Sequence, residues 1–393
     1  MKLGQIIITN ACLILVMGLL SIDMYNPALP EMSRTLNVTD GQIQSLVFYY
    51  LIGFALSQLI YGAVSDQKGR VPVIIFSLTA TALANFLSFF AESFTQLSIL
   101  RALTGIAAGG CPVISRAILS DIFKDKVELS KALSIFSMAS QISPAFAPII
   151  GAYISGYFIW NYNFLALSIV IILATLFVKI TLPETNIIKH NHLNHWRNFK
   201  TLFKDSHFMI YSIVSAILFA ITIGYLTANP FIIQKEYKLS SQLNGYLFLF
   251  YSLGIVIGSF LTKKLLQNNH PEKILLNSLF YLFIIGSLFL VLHLFFDFNS
   301  TPFFLLYGFL IALGCGLASP LLLGLSLHSH SQIAGVGSAL QGSLKMAGAA
   351  LALLILSQVN TTSSTGLMIA IYIMSILCLT LVRFFQNNDK QIP

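Results

Sequence analysis

Four charged side chains stand inside long apolar runs of this sequence: Asp23, Arg101, Arg116 and Lys345. A carboxylate or an ammonium in hydrocarbon costs roughly 2.5–3.5 kcal/mol on insertion scales, so such groups are kept where they pair, line a wet path or meet a ligand. One acid and a few bases at chosen depths suit the movement of protons or polar solutes. The pattern holds no groups for covalent chemistry. There is no P-loop, no H-E-x-x-H and no Ser–His–Asp setting, which excludes an ATP-driven pump, a membrane protease and enzymes of those kinds. His190, His192 and His195 lack the carboxylate or cysteine spacing of a metal site and read as a solvated linker; His328 and His330 read the same way. Cys12, Cys111, Cys315 and Cys378 lie inside apolar runs with no C-x-x-C spacing and read as small hydrophobes without disulfides.

The elements that must hold these charges follow from composition. Of 393 residues, 56% are hydrophobic and 9% charged, against about 25% charged in an ordinary soluble domain. Such a chain needs lipid as its solvent. A net charge of +8 would suggest nucleic acid for a soluble protein, but here the excess Lys and Arg belong to loops on one membrane face. Apolar windows fall at 5–29, 43–63, 72–91, 95–117, 131–155, 160–182, 208–231, 243–262, 273–293, 303–327, 332–357 and 366–385. Runs of this length read as helices, because only helices satisfy every backbone group in so many lipid-exposed segments. The N-terminal run lacks a small-residue cleavage site and continues through Asp23-Met24-Tyr25-Asn26-Pro27, so it is expected to remain as the first span.

Twelve spans place both termini on one side. With the N-terminus inside, sixteen of the 22 Lys and Arg fall on the inner side, three on the outer and three within spans, a strong positive-inside bias. The longest connection, 183–207, is polar and sits at the midpoint. The expected fold is therefore an all-α polytopic membrane protein of two six-helix bundles, 1–182 and 208–393, joined by a cytoplasmic loop. At 1.5 Å per residue, Asp23 lies about 10 Å below the outer end of its span and Arg101 about 9 Å. The two could share a level and pair. Pairing favours the charged form of an acid and desolvation the neutral one, so their competition permits a protonation switch. Lys345 lies roughly 20 Å from the inner end of its span, too deep to snorkel easily, and Arg116 about 30 Å from the outer start of its own, at the inner interface.

After the second span the chain reads Gly62-Ala63-Val64-Ser65-Asp66-Gln67-Lys68-Gly69-Arg70, the G-x-x-x-D-x-x-G-R pattern of the major facilitator superfamily, which this sequence resembles. Arg101-Ala102-Leu103-Thr104-Gly105 resembles the family's R-x-x-Q-G motif, with Thr104 for Gln, a change expected to weaken the polar network around the arginine. Pro144-Ala145-Phe146-Ala147-Pro148-Ile149-Ile150-Gly151 is similar to the signature associated with antiporters. There Pro148 leaves a carbonyl unpaired and can bend the span. Asp23-Met24-Tyr25-Asn26-Pro27, Gly53–Leu59 and Ser115–Asp121 resemble bicyclomycin-resistance-type (Bcr/CflA) drug:proton antiporters.

The resemblance implies proton-driven export of small organic molecules or drugs across a bacterial inner membrane by alternating access, without a cofactor and by a functional monomer. Asp23 and Arg101 would couple protons. Asp66, Arg70, Arg116 and Asp121 would form an inner gate, and Pro144, Pro148 and Gly151 the antiporter motif. Lys345, Tyr25, Tyr49, Gln58, Gln141, Tyr225, Asn229, Tyr251 and Gln341 would line the substrate cavity. Ionised Asp23, Arg101 and Lys345 sum to one positive charge, which favours anions. The alternatives are a dedicated exporter of an endogenous metabolite such as a siderophore, a proton-coupled importer, and a membrane-embedded enzyme or receptor. The expected partners are a small-molecule substrate, protons and the lipid bilayer, with no nucleic acid.

Overall fold

The computed structural model describes residues 3–186, 195–327, 334–358 and 362–389. Among the described residues it is helical with no strand. The helices are α1 (Leu3–Asp23), α2 (Leu29–Thr35), α3 (Asp40–Lys68), α4 (Arg70–Phe89), α5 (Phe94–Ala108), α6 (Gly110–Ile122), α7 (Lys126–Ser140), α8 (Ile142–Tyr157), α9 (Tyr162–Thr181), α10 (His195–Lys204), α11 (Ser206–Phe231), α12 (Ser241–Leu265), α13 (Pro271–Phe296), α14 (Thr301–Leu327), α15 (Ala334–Leu356) and α16 (Ser364–Asp389). They make twelve stretches long and apolar enough to cross a membrane, each overlapping one of the twelve apolar runs. Large side chains such as Phe76, Ile180, Phe260 and Phe384 stay exposed around the outside, as a lipid-facing surface requires.

Among the described residues three spans are broken into separate α-helices, two of them where proline forbids a hydrogen bond. Pro27 has no N–H to offer the carbonyl of Asp23, so α1 ends at Asp23 and a 3-10 turn, Asn26–Ala28, leads into α2. The first span thus reaches Thr35, beyond the end at 29 expected from hydropathy. Pro144 likewise has no N–H to offer the carbonyl of Ser140, and the fifth span breaks at Gln141, between α7 and α8. The break therefore comes ahead of Pro148, where the bend was expected, and Pro148 lies inside α8. The fourth span is divided at Gly109, between α5 and α6.

The central connection differs from the expected loop. It contains α10, whose Leu202 is buried against Phe208 and Leu340, with Phe199 and Leu59 packed alongside. The expectations for His190, His192, His328 and His330 lie outside the described residues, as does the side chain of His195.

The first six and last six spans meet along two seams. On one, α15 packs on α3, and Ser343 Oγ donates to the carbonyl of Ala55 at 2.7 Å. On the other, α12 packs on α8, where the hydroxyls of Tyr153 and Tyr246 are hydrogen-bonded. One end of the bundle carries most Lys and Arg and is called the basic end below; the other is the far end. At the far end, Lys235 Nζ pairs with Asp40 at 2.6 Å, and Gln234 Nε2 donates to the carbonyl of Pro27 at 2.8 Å.

Candidate functional site

Asp23 closes α1 and is 5% exposed. Its carboxylate sits at the negative end of the helix dipole, far from bulk water. Ser143 Oγ, on α8 just beyond the break, donates to Asp23 Oδ2 at 2.8 Å. The approach of α8 to this point depends on Gly151, because a Cβ there would collide with the carbonyl oxygen of Met24. The Pro144, Pro148 and Gly151 motif therefore builds the wall against which Asp23 rests.

Arg101 does not pair with Asp23. Among the described residues its partners are neutral: Nη2 donates to Asn85 Oδ1 at 2.9 Å, Ser88 Oγ at 3.1 Å and Thr104 Oγ1 at 2.9 Å, and Nη1 to the carbonyl of Ser21 at 3.4 Å. The guanidinium lies 4.6 Å from the centre of the Phe164 ring and 5.7 Å from that of Tyr25, a cation–π arrangement suited to a desolvated site. The expected pair thus becomes two neighbouring groups, each held by uncharged partners. Thr104 does not thin the network as expected; its hydroxyl accepts from Arg101 and donates to the carbonyl of Leu100 at 2.7 Å. Ser143, Asn85 and Ser88 were missed because serine in an apolar helix most often bonds its own backbone. Asn85, an amide in an otherwise apolar stretch, was the detectable signal.

Across the seam, Tyr225 and Tyr251 stack with ring centres 4.4 Å apart, and Phe304 stacks on Tyr225 at 5.5 Å. Asn229 Nδ2 donates to the Tyr225 hydroxyl at 3.3 Å. Among the described residues the buried Asn244 side chain and the Tyr25 and Tyr307 hydroxyls have no hydrogen-bond partner, so this interior offers polar groups to a ligand or water. Tyr307 and Asn244 were not expected from sequence. Gln341 donates to Ser215 Oγ at 3.1 Å, and Gln58 is buried beside Gly342. Gln141 occupies the break in the fifth span, and Tyr49 is half-buried edge-on to Phe48. Its neighbour Tyr50 points inward instead and donates to the carbonyl of Gly18 at 2.8 Å.

At the basic end, Arg70 Nη1 meets Asp66 Oδ1 at 2.5 Å, and Nε meets Asp121 Oδ2 at 2.9 Å. Gly69 makes the turn at φ 99°, a region costly for other residues. Glu184, which follows the sixth span, completes the cluster by accepting from the backbone N–H of Arg70 at 2.9 Å and of Val71 at 3.1 Å. Partial burial pushes the Glu184 carboxyl up, but the backbone N–H groups of Asn186, Arg70, Val71 and Thr185 outweigh it and hold it below the ordinary range. All these residues belong to the first six spans and the segment after them. Arg116 is not among them. It sits six residues inside the end of α6, half-buried, with its guanidinium 6.0 Å from the centre of the Phe136 ring. Lys345 Nζ lies 4.9 Å from the centre of the Phe219 ring.

Residues 11–353 match the sequence profile of the Major Facilitator Superfamily. The chain belongs to the Major Facilitator Superfamily. It is accordingly a multi-pass membrane transporter and not an enzyme. It is 28% identical to the bicyclomycin resistance protein homolog of Haemophilus influenzae, over 89% of this chain and 90% of that one. It is 31% identical to multidrug resistance protein D of Escherichia coli, over 51% of this chain and 50% of the relative. Among solved structures it resembles the nucleoside transporter NupG, with TM-score 0.74, 17% identity and coverage of 98% and 99% of the two chains. It also resembles a D-xylose-proton symporter, with TM-score 0.75, 13% identity and coverage of 96% and 97%. Those structural likenesses establish the fold alone.

Proposed function

We propose that this transporter is a proton-coupled antiporter that exports small organic molecules across a bacterial inner membrane, with its basic end and both termini in the cytoplasm. The observation that carries the reading is Asp23, a buried carboxylate whose partner among the described residues is one serine hydroxyl, with no counter-charge among them. An ionised group so placed costs several kcal/mol, and taking up a proton removes that cost. Arg101, fixed by neutral partners that include the carbonyl of Ser21 two residues before Asp23, supplies a constant positive charge near the same end of the first span. The relatives named for bicyclomycin and multidrug resistance support export of organic molecules. The excess of Lys and Arg at one end supports the orientation.

In this reading 1–182 and 208–393 rock about a central cavity, with 183–207 joining them. Tyr25, Tyr225, Asn229, Tyr251, Gln341 and Gln58 contact substrate. The Asp66–Arg70–Asp121 cluster, confined to the first half, braces the ends of α3, α4 and α6 as that half moves. The test is accumulation of bicyclomycin and cationic dyes in inside-out vesicles under an imposed pH gradient. Asp23→Asn is expected to abolish uphill accumulation while leaving substrate binding in place. Wild-type accumulation that ignores the gradient, or an Asp23→Asn variant that still pumps uphill, overturns the reading.

A further inference from the structure

At the basic end of the last six spans, an open pocket of about 170 Å³ lies between α12, α13 and α14. Its walls are fixed by close contacts. On α12, Thr262 Oγ1 donates to the carbonyl of Leu317 on α14 at 2.8 Å. A Cβ on Gly258 would lie 2.3 Å from the carbonyl oxygen of Leu313, so the two helices meet backbone to backbone. α13 leans on the same α14, where a Cβ on Gly314 would lie 3.0 Å from Tyr281 Cδ1. Leu265 and Leu317 make the apolar side of the pocket. Asn269, in the turn before α13, lies at its rim and donates to the carbonyl of Leu265 at 3.1 Å.

The polar side is a ladder on α13. Lys273, Asn277 and Tyr281 all line the pocket and follow one another at four-residue spacing, which puts them on one helical face. The ladder is about 12 Å long. Its charge stands at the helix start, its amide a turn further in and its phenol deepest. Lys273 and Asn277 are exposed and Tyr281 is half-buried. Among the described residues no hydrogen bond or ion pair reaches these three side chains. Further along the same face the exposed residues are apolar, Phe280, Ile284 and Leu288, so the pocket opens toward lipid. Packing alone gives no reason for a free amide on that face, since hydrocarbon offers it no partner.

Cation, amide, phenol and then apolar surface is the order of a phospholipid read from its phosphate through its ester carbonyls to its chains. The headgroup zone is about 5–7 Å deep on each side of the hydrocarbon core. Lys273 leans toward the start of α13 and so toward that zone, while Asn277 and Tyr281 stand deeper. No carboxylate lines the pocket, so nothing there holds the ammonium of a zwitterionic headgroup. A lone cation beside amides suits the phosphate of a lipid with net negative charge.

We propose that this pocket binds one anionic phospholipid from the leaflet at the basic end, with its phosphate on Lys273 and Asn277, its ester region at Tyr281 and its chains along Phe280 and Ile284. The site belongs wholly to the last six spans, apart from Asp23 and from both seams, and is independent of proton coupling. The test is native mass spectrometry of the purified full-length chain, delipidated and titrated with phosphatidylglycerol or with phosphatidylcholine. The first phosphatidylglycerol is expected to bind about fivefold or more tightly than phosphatidylcholine. Lys273→Gln should remove that preference, and Asn277→Leu should reduce it. Lys273→Arg should keep it and show that folding is intact. Lys264→Gln, which removes a cation of α12 outside the pocket, should leave the preference unchanged. Equal affinity of the wild type for both lipids, or a preference that survives Lys273→Gln, would overturn the proposal. An equal loss in Lys264→Gln would show a diffuse charge effect and overturn it too. Displacement of the lipid by inorganic phosphate at equal concentration would make the site one for free phosphate and overturn the lipid assignment.

Discussion

At the residue scale, the transporter keeps its buried charges by two different means. Among the described residues Asp23 has one hydroxyl partner, and a change of protonation there meets little opposition from it. Arg101 has four oxygen acceptors on three spans and two aromatic faces, so it is fixed. The fork of a guanidinium reaches several acceptors at once, whereas an ammonium on a flexible stem cannot. Arg101→Lys is therefore expected to destabilise the protein by about 2–4 kcal/mol, read as a fall in unfolding temperature in detergent. An unchanged unfolding temperature would mean that the network does not hold the first, third and fourth spans together. Asp23, Arg101 and Lys345 were legible in the sequence because a charge in an apolar run is costly wherever it lands. Their partners were not. Hydropathy gives a depth but no rotation about the helix axis, so it could not tell that Asp23 faces Ser143 and not Arg101.

At the element scale, helix ends follow from backbone chemistry that the sequence states openly. Pro27 and Pro144 each withdraw an N–H, and the interruptions come four residues earlier, at Asp23 and Ser140. The two breaks place Asp23 against Ser143. Gly151→Leu should drive α8 away from Met24 and reduce transport at least tenfold with the protein still inserted, whereas an unaffected rate would show that this approach is dispensable. The helix α10 was also within reach of sequence reading, since Trp196, Phe199, Leu202 and Phe203 have helical spacing; the polar residues around them hid it. Glu184 shows what spacing cannot give, since it comes 114 residues after its partner Arg70. Its folded carboxyl lies below the unfolded value, so its contribution is full above the ordinary glutamate range and fades as pH falls through the folded value. Glu184→Gln should lower the unfolding temperature at pH 7 and shrink the further loss seen between pH 7 and pH 4. Parallel pH curves for variant and wild type would remove Glu184 from the account of acid sensitivity.

At the scale of the whole molecule, function depends on the relative populations of states in which the two halves separate at one end or the other. Among the described residues, the polar links between the halves at the far end include the Lys235–Asp40 pair and the side chains of Gln234 and Ser241 on the carbonyl of Pro27, beside the apolar packing of α2 on α11. Both side chains of the pair are partly exposed, so it contributes about 0.2–1 kcal/mol. That is trivial for the stability of the fold but sufficient to bias an equilibrium between states of nearly equal energy. A pair present in one state and absent in the other shifts their ratio by its full value, roughly 1.5- to 5-fold. Asp40→Asn and Lys235→Gln should therefore each raise the share of molecules open at the far end by that factor, and the double variant little further, since either change already removes the pair. Spin labels at the exposed positions Arg34 and Ser300, one on each half at the far end, would report this as growth of the longer-distance component. Exchanging the charges, Asp40→Lys with Lys235→Asp, should return the distribution toward the wild type. Distances unchanged in both single variants would mean that the far end is held by apolar packing, and that the ion pair follows closure without setting it.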